Sequence, residues 1–140
     1  MTDENPALTH LQHSISAANI AVIVHCHPLF AETDLAALTE LVGRGRLVTL
    51  RPGEVLLGQG EASDAAYFIL EGSASIRIET SYGRVNLSTV SAPALVGEIG
   101  VFMGVPRTAT IEATKPIRAL RIHSADLQKF GSENPRFLPG

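Results

Sequence analysis

Ala94-Leu95-Val96-Gly97-Glu98-Ile99-Gly100-Val101-Phe102-Met103-Gly104-Val105-Pro106-Arg107-Thr108-Ala109-Thr110 sets one acid and one arginine in a segment otherwise made of small and apolar residues. Gly97-Glu98 followed by Ile99, Val101, Phe102 and Met103 reads as a turn opening a single helical turn, whose unpaired N–H groups and positive dipole end suit an anion. Arg107 arrives nine residues after Glu98. Its guanidinium is always charged and presents a planar fork of donors that matches two phosphate oxygens at once. Glu98 cannot ligate a phosphate, because a carboxylate accepts hydrogen bonds; its natural partner beside one is a sugar hydroxyl, or failing that Arg107 itself.

Outward from this stretch the texture is that of short strands. Apolar runs at Leu47–Leu50, Val55–Leu57, Ala66–Leu70, Ser73–Glu79, Arg84–Val90, Ala109–Ala113 and Ile117–Ile122 are separated by Gly, Pro, Ser and Asp. In Ser73–Glu79 the residues Ala74, Ile76 and Ile78 alternate with Ser75, Arg77 and Glu79, which predicts one buried and one wet face. Tyr82-Gly83 supplies a hairpin turn, and Gly53, Gly58, Gly60, Gly72 and Gly83 read as turn glycines. Seven closely spaced strands without a long helix between them predict a mainly β fold, an antiparallel β-barrel or jelly roll over residues 46–123, rather than a parallel sheet.

Helices flank the strands. Leu8, Leu11, Ile15, Ala18 and Val22 recur at three- and four-residue spacings, which predicts an amphipathic helix from Ala7 to about Val24. Pro28-Leu29-Phe30 reads as a short helical turn. Thr33 is the expected N-cap of a second helix, with Leu35, Leu38, Leu41 and Val42 on one face and Gly43 just past its end. Residues 1–45 thus form an N-terminal helical segment packing on the barrel. Ser124 is expected to cap a short C-terminal helix through Leu127 and Phe130 that Gly131 ends, within a tail of 124–140.

Gly97-Glu98-Ile99-Gly100-Val101, a gap whose last residue is Pro106, and then Arg107-Thr108-Ala109-Thr110 resemble the phosphate-binding cassette of cyclic nucleotide-binding domains. That family includes regulatory subunits of cAMP-dependent protein kinase, cyclic nucleotide-gated channels and bacterial catabolite activators; Gly100 resembles the bacterial form, where many others carry alanine. Arg51-Pro52-Gly53-Glu54-Val55-Leu56-Leu57-Gly58-Gln59-Gly60-Glu61 and Tyr67-Phe68-Ile69-Leu70-Glu71-Gly72 are similar to the family's first barrel turns and strands, so the resemblance runs from Pro28 to Phe130. It implies a double-stranded β-helix that binds cAMP, less readily cGMP, as a sensor coupled to an attached or partner effector.

Ligand-binding residues implied by the resemblance are Gly97, Glu98, Ile99, Gly100, Arg107, Thr108 and Ala109. Arg107 would clamp the cyclic phosphate, the N–H groups of Gly100 and Thr108 would add donors, and Glu98 would hold the ribose 2′-hydroxyl. Gly97 would allow close approach of the backbone, the Thr108 hydroxyl could also reach the base, and Leu95 and Val96 would help wall the pocket. Members usually continue into a longer helix that covers the base, whereas this chain runs Asn134-Pro135-Arg136-Phe137-Leu138-Pro139-Gly140. The base then stays open, or Phe137 and Leu138 fold back over it, or the chain is one domain of a longer protein.

Other function classes fit poorly. Eleven Lys and Arg against fourteen Asp and Glu give a net charge of −3, so no basic field favours nucleic acid directly. Apolar runs such as Ile20–Val24 are far short of the ~18 residues that span a bilayer. A single Cys26 and an acidic Met1–Asn5 start, unlike a signal peptide, fit the cytoplasm. His25-Cys26-His27 suggests zinc, but its residues are adjacent rather than convergent and no second cluster completes four ligands, so no metal is expected. Between Arg46 and Ile122 there is no histidine to activate Ser73, Ser75, Ser88 or Ser91, which argues against an enzyme. The rival reading is a structural or oligomerisation module with a vestigial cassette, in which Glu98 and Arg107 merely pair across a loop.

Overall fold

The computed structural model describes residues 17–134. Helix α1 is Ala17–His25, a 3-10 turn covers Pro28–Phe30, and α2 is Leu35–Arg44. Eight strands follow: β1 Arg46–Leu50, β2 Val55–Leu57, β3 Ala65–Glu71, β4 Ser73–Thr80, β5 Gly83–Ser91, β6 Ala94–Val96, β7 Thr110–Ala113 and β8 Ile117–His123. Between β6 and β7 lies α3, Glu98–Met103, and α4, Ser124–Glu133, follows β8.

The strands make two antiparallel four-stranded sheets, ordered β1-β8-β3-β6 and β2-β7-β4-β5. This is the expected mainly β jelly roll with flanking helices, built as two facing sheets rather than a closed barrel. One core lies between the sheets, where Leu57, Ile69, Ala74, Val96, Ile111, Ala113, Ile117 and Ala119 meet. A second lies between the first sheet and the helices, where Phe30, Leu38 and Leu127 pack against Phe68, Leu120 and Ile122. Strand β3 therefore sends Ile69 into one core and Phe68 into the other. That explains its unbroken apolar run, since a strand covered on both faces need not alternate.

Strand β5 is the edge of the second sheet. There Ile76 pairs with Ser88 and Arg77 with Asn86, so Leu87 is the extra residue of a bulge and stands half exposed. A bulge at an edge discourages pairing with another chain. The β4–β5 turn is Ser81-Tyr82, with Gly83 already paired to Thr80 at φ +117.

Several expected details shift. In α1 the buried residues are Ile20, Ala21 and Val24, while Val22 faces solvent; Leu8, Leu11 and Ile15 lie outside the described residues, as do Phe137 and Leu138. Asp34, not Thr33, caps α2: its carboxylate accepts from the Ala37 N–H at 3.1 Å, and α2 runs through Gly43 to Arg44. Gly45 takes the end position, where a Cβ would stand 2.8 Å from Leu120 Cδ1. His123, not Ser124, caps α4, its Nδ1 accepting from the Ala125 N–H at 3.1 Å; Gly131 is buried inside α4. Ala94–Val96 is an eighth strand, and β7 starts at Thr110 rather than Ala109.

Candidate functional site

Strand β6 pairs with β3 as Phe68 opposite Leu95 and Tyr67 opposite Val96, and there the sheet ends. The chain leaves it through Gly97 at φ +83, a left-handed conformation that glycine alone adopts without strain. Helix α3 follows for one and a half turns and stops at Gly104, φ +67, whose N–H returns to the Gly100 carbonyl at 2.9 Å. Val101 anchors α3 in the helical core, and Gln128 Nε2 of α4 donates to its carbonyl at 3.1 Å. Ile99 and Met103 remain on the solvent side.

An open cavity of about 190 Å³ lies under this turn. Its wall contains Gly97, Glu98, Ile99, Gly100, Arg107, Thr108 and Ala109, together with Val105 and Pro106; Leu57 and Ile111 give it an apolar floor. Leu95 and Val96 are not in the wall. Leu95 leans on the helical core and Val96 on the core between the sheets.

Arg107 is 7% exposed, the buried charge of this region. Nη1 donates to the Gly97 carbonyl at 3.0 Å, Nη2 donates to the Ala65 carbonyl, and Asp64 Oδ1 lies 3.8 Å from Nη2. A guanidinium carries five N–H donors, so these two carbonyl bonds fix its plane and leave donors of the same fork for an anion in the cavity. Its backbone is equally fastened: Gly60 N–H donates to the Arg107 carbonyl and the Arg107 N–H to the Glu61 carbonyl, both at 2.8 Å. A Cβ on Gly97 would sit 2.7 Å from Nη1, so a side chain there would push the guanidinium off its seat as well as strain the φ.

Glu98 shares the cavity but makes no ion pair with Arg107 among the described residues. Burial pushes its carboxyl above the usual range, against the pull of its own N–H, the Ile99 N–H and the His27 ring. A partly buried acceptor and a buried cationic fork thus face one cavity without cancelling each other, which suits a ligand carrying both an anion and a hydroxyl.

Residues that the motif did not point to hold this arrangement. Asp64 also reaches Arg121 of β8 at 3.4 Å. Ser63 Oγ donates to the Val105 carbonyl at 2.6 Å and occupies the space that a Cβ on Gly100 would take. Their partners Val105, Arg107 and Arg121 are 42 to 57 residues away in sequence, so only the polar Ser63-Asp64 ahead of an apolar strand hinted at a loop here. His25 and His27 are otherwise engaged: His25 Nε2 meets the Thr33 carbonyl at 3.0 Å, and the His27 ring stands edge-on to Phe68 at 5.6 Å. Among the described residues no group of three or more His, Cys, Asp and Glu could hold a metal ion, and no helix is long and apolar enough to cross a membrane.

The cyclic nucleotide-binding domain family model matches residues 47–134, from β1 through α4. The chain belongs to that family. This cyclic nucleotide-binding domain is 34% identical over 113 residues to a cyclic nucleotide-gated potassium channel of Mesorhizobium japonicum, covering 81% of the chain and 30% of the channel. It is 26% identical to the CRP-like cAMP-activated global transcriptional regulator of Mycobacterium tuberculosis, covering 76% of the chain and 48% of the regulator. The crystal structure of the N-terminal domain of a Streptomyces coelicolor transcriptional regulator superposes with a TM-score of 0.71 at 30% identity, covering 82% of the chain and 83% of that domain. The domain thus spans a third to a half of these curated relatives, which are regulators and channels.

Proposed function

We propose that this domain binds a cyclic nucleotide, cAMP in preference to cGMP, and passes the bound state to an effector on the same chain or a partner. The observation that carries the reading is the shared cavity, in which the buried Arg107 fork and the Glu98 carboxylate stand apart. Arg107 takes the cyclic phosphate with the Gly100 and Thr108 N–H groups, and Glu98 accepts from the ribose 2′-hydroxyl. Leu57 and Ile111 supply apolar contact. The preference for cAMP follows the cAMP-activated relative and the bacterial pattern at Gly100. Nothing in the cavity calls for catalysis, and the domain acts as a cytoplasmic sensor without metal or direct nucleic-acid contact.

At about 190 Å³ the cavity is below the ~300 Å³ lower end of small-molecule pockets, so the phosphate and ribose are enclosed while the base stands at the open side beside Ile99. The α3–α4 contact through Gln128 gives the signal a path, because pulling α3 toward the ligand draws on α4. Thermal unfolding of ligand-stripped protein tests the reading. A ligand at ~100 times its dissociation constant adds about 2.7 kcal/mol of stability. A rise with cAMP, smaller with cGMP, is expected; no rise with either would favour a structural module instead.

A further inference from the structure

Strand β7 ends one step too early for its neighbour. In the second sheet β4 pairs with β7 as Ser75 opposite Glu112 and Arg77 opposite Thr110. Continued by two residues, that register would set Glu79 opposite Thr108. Instead β7 stops at Thr110, and Thr108 leaves the sheet to line the cavity. The vacated place is filled by a side chain. Gln59 Oε1 accepts from the Glu79 N–H at 2.7 Å and Gln59 Nε2 donates to the Glu79 carbonyl at 3.2 Å, the two bonds a strand partner would make. The backbone N–H of Gln59 is pinned to Thr110 Oγ1 at 3.0 Å, and the next residue, Gly60, begins the two-bond bridge to Arg107.

We propose that Gln59 is a positioning residue that occupies the ladder place of Thr108 and so keeps Arg107-Thr108 turned toward the cavity. Its carboxamide has the donor and acceptor of a peptide group, so it satisfies Glu79 without a strand. Remove it and the Glu79 N–H and C=O pass to water at an exposed sheet end, where the Thr108 peptide is the in-register partner able to take them. Zipping Thr108 onto Glu79 would turn its N–H away from the cavity and drag Arg107 with it. The binding consequence rests on the proposed function; the register consequence does not.

Two readouts on the full chain separate them. In Gln59→Ala, amide hydrogen exchange by NMR is expected to slow at Thr108 by about tenfold or more, as it enters the ladder in ligand-free protein. If the competent arrangement falls to about 5–20% of molecules, cAMP affinity falls by the same factor, about 5- to 20-fold, with the melting temperature little changed. Gln59→Glu keeps the acceptor for the Glu79 N–H but sets a carboxylate against its carbonyl, so its effect should be at least as large. Unchanged Thr108 exchange in Gln59→Ala overturns the proposal, whatever happens to affinity. Slowed exchange with affinity within twofold of wild type also overturns it as a positioning role. If wild type binds neither cAMP nor cGMP while Thr108 exchange slows in Gln59→Ala, the ladder substitution stands and the ligand reading fails.

Discussion

Replacing Gly97 by alanine tests how tightly the cassette and Arg107 depend on one another, and Gly104 provides the internal control. Both glycines are left-handed, at φ +83 and φ +67, and they flank the same short helix. A Cβ at Gly104 meets nothing within 4 Å, so Gly104→Ala should cost only the left-handed penalty, about 1–2 kcal/mol. A Cβ at Gly97 meets Arg107 Nη1 at 2.7 Å and Leu57 Cδ1 at 3.2 Å. The guanidinium must then swing off the Gly97 carbonyl, weakening a hydrogen bond from a charged donor worth about 1.5–3 kcal/mol. Gly97→Ala should therefore cost roughly 3–4 kcal/mol and lower nucleotide affinity at least tenfold, whereas Gly104→Ala should leave affinity within a few-fold. Urea unfolding with the slope held common to all variants gives the first quantity and calorimetric titration the second. Equal destabilisation by the two substitutions would mean that Arg107 is not seated against Gly97, and the account of the site would fail at its centre.

Two further outcomes are expected. Because burial raises the Glu98 carboxyl in the ligand-free fold, its ionisation opposes folding: that penalty is absent below the usual carboxyl value and sets in as pH rises through the raised one. Ligand-free stability should thus lose a pH-dependent component in Glu98→Gln, while cAMP affinity, if the carboxylate takes the 2′-hydroxyl as proposed, should fall in wild type as pH drops through that same window; parallel pH profiles of wild type and variant would remove Glu98 from both roles. Gly100→Ala should cost about 1 kcal/mol in wild type, since Ser63 Oγ fills the space for the new methyl group, and should cost less on a Ser63→Ala background, where only the residue-63 Cβ at 3.0 Å and the Val105 carbonyl at 3.3 Å still crowd it; additive costs in the double variant would show that the two residues do not compete.

Seven of the eight strands, three to nine residues long, were legible because turn residues bound their apolar runs and, in the longer ones, alternation survives, as in Ser73–Thr80 before Gly83. Ala94–Val96 was not: Val55–Leu57, just as short, stands between Gly53 and Gly58, whereas Ala94–Val96 runs straight into Gly97 and was drawn into the cassette. Val22, the one residue of the expected helical face whose exposure is described, turns outward for a related reason. Ile20-Ala21-Val22-Ile23-Val24 is apolar all round, so spacing alone could not tell that Ile20, Ala21 and Val24 would be covered and Val22 left out. The caps moved by one residue where two capable side chains are adjacent, Thr33 beside Asp34 and His123 beside Ser124. Of the site, the residues within Gly97–Ala109 could be named because one connection carries them all, with Glu98 and Arg107 nine residues apart. The residues that hold Arg107 in place could not, since the Ala65 carbonyl, Asp64 and the Gly60-Glu61 backbone come to it only through the pairing of distant strands.

The central claim is that the buried Arg107 fork holds the phosphate of a cyclic nucleotide. Calorimetric titration of ligand-stripped protein with cAMP, for wild type, Arg107→Lys and Arg107→Ala, tests it most directly, with circular dichroism confirming that each variant is folded. The account predicts saturable one-to-one binding by wild type, a loss of more than about 100-fold in Arg107→Ala from removal of two charge-assisted bonds at about 1.5–3 kcal/mol each, and a clear loss in Arg107→Lys, where a point charge replaces the fork. Binding of cAMP by a folded Arg107→Ala variant within threefold of wild type would contradict it.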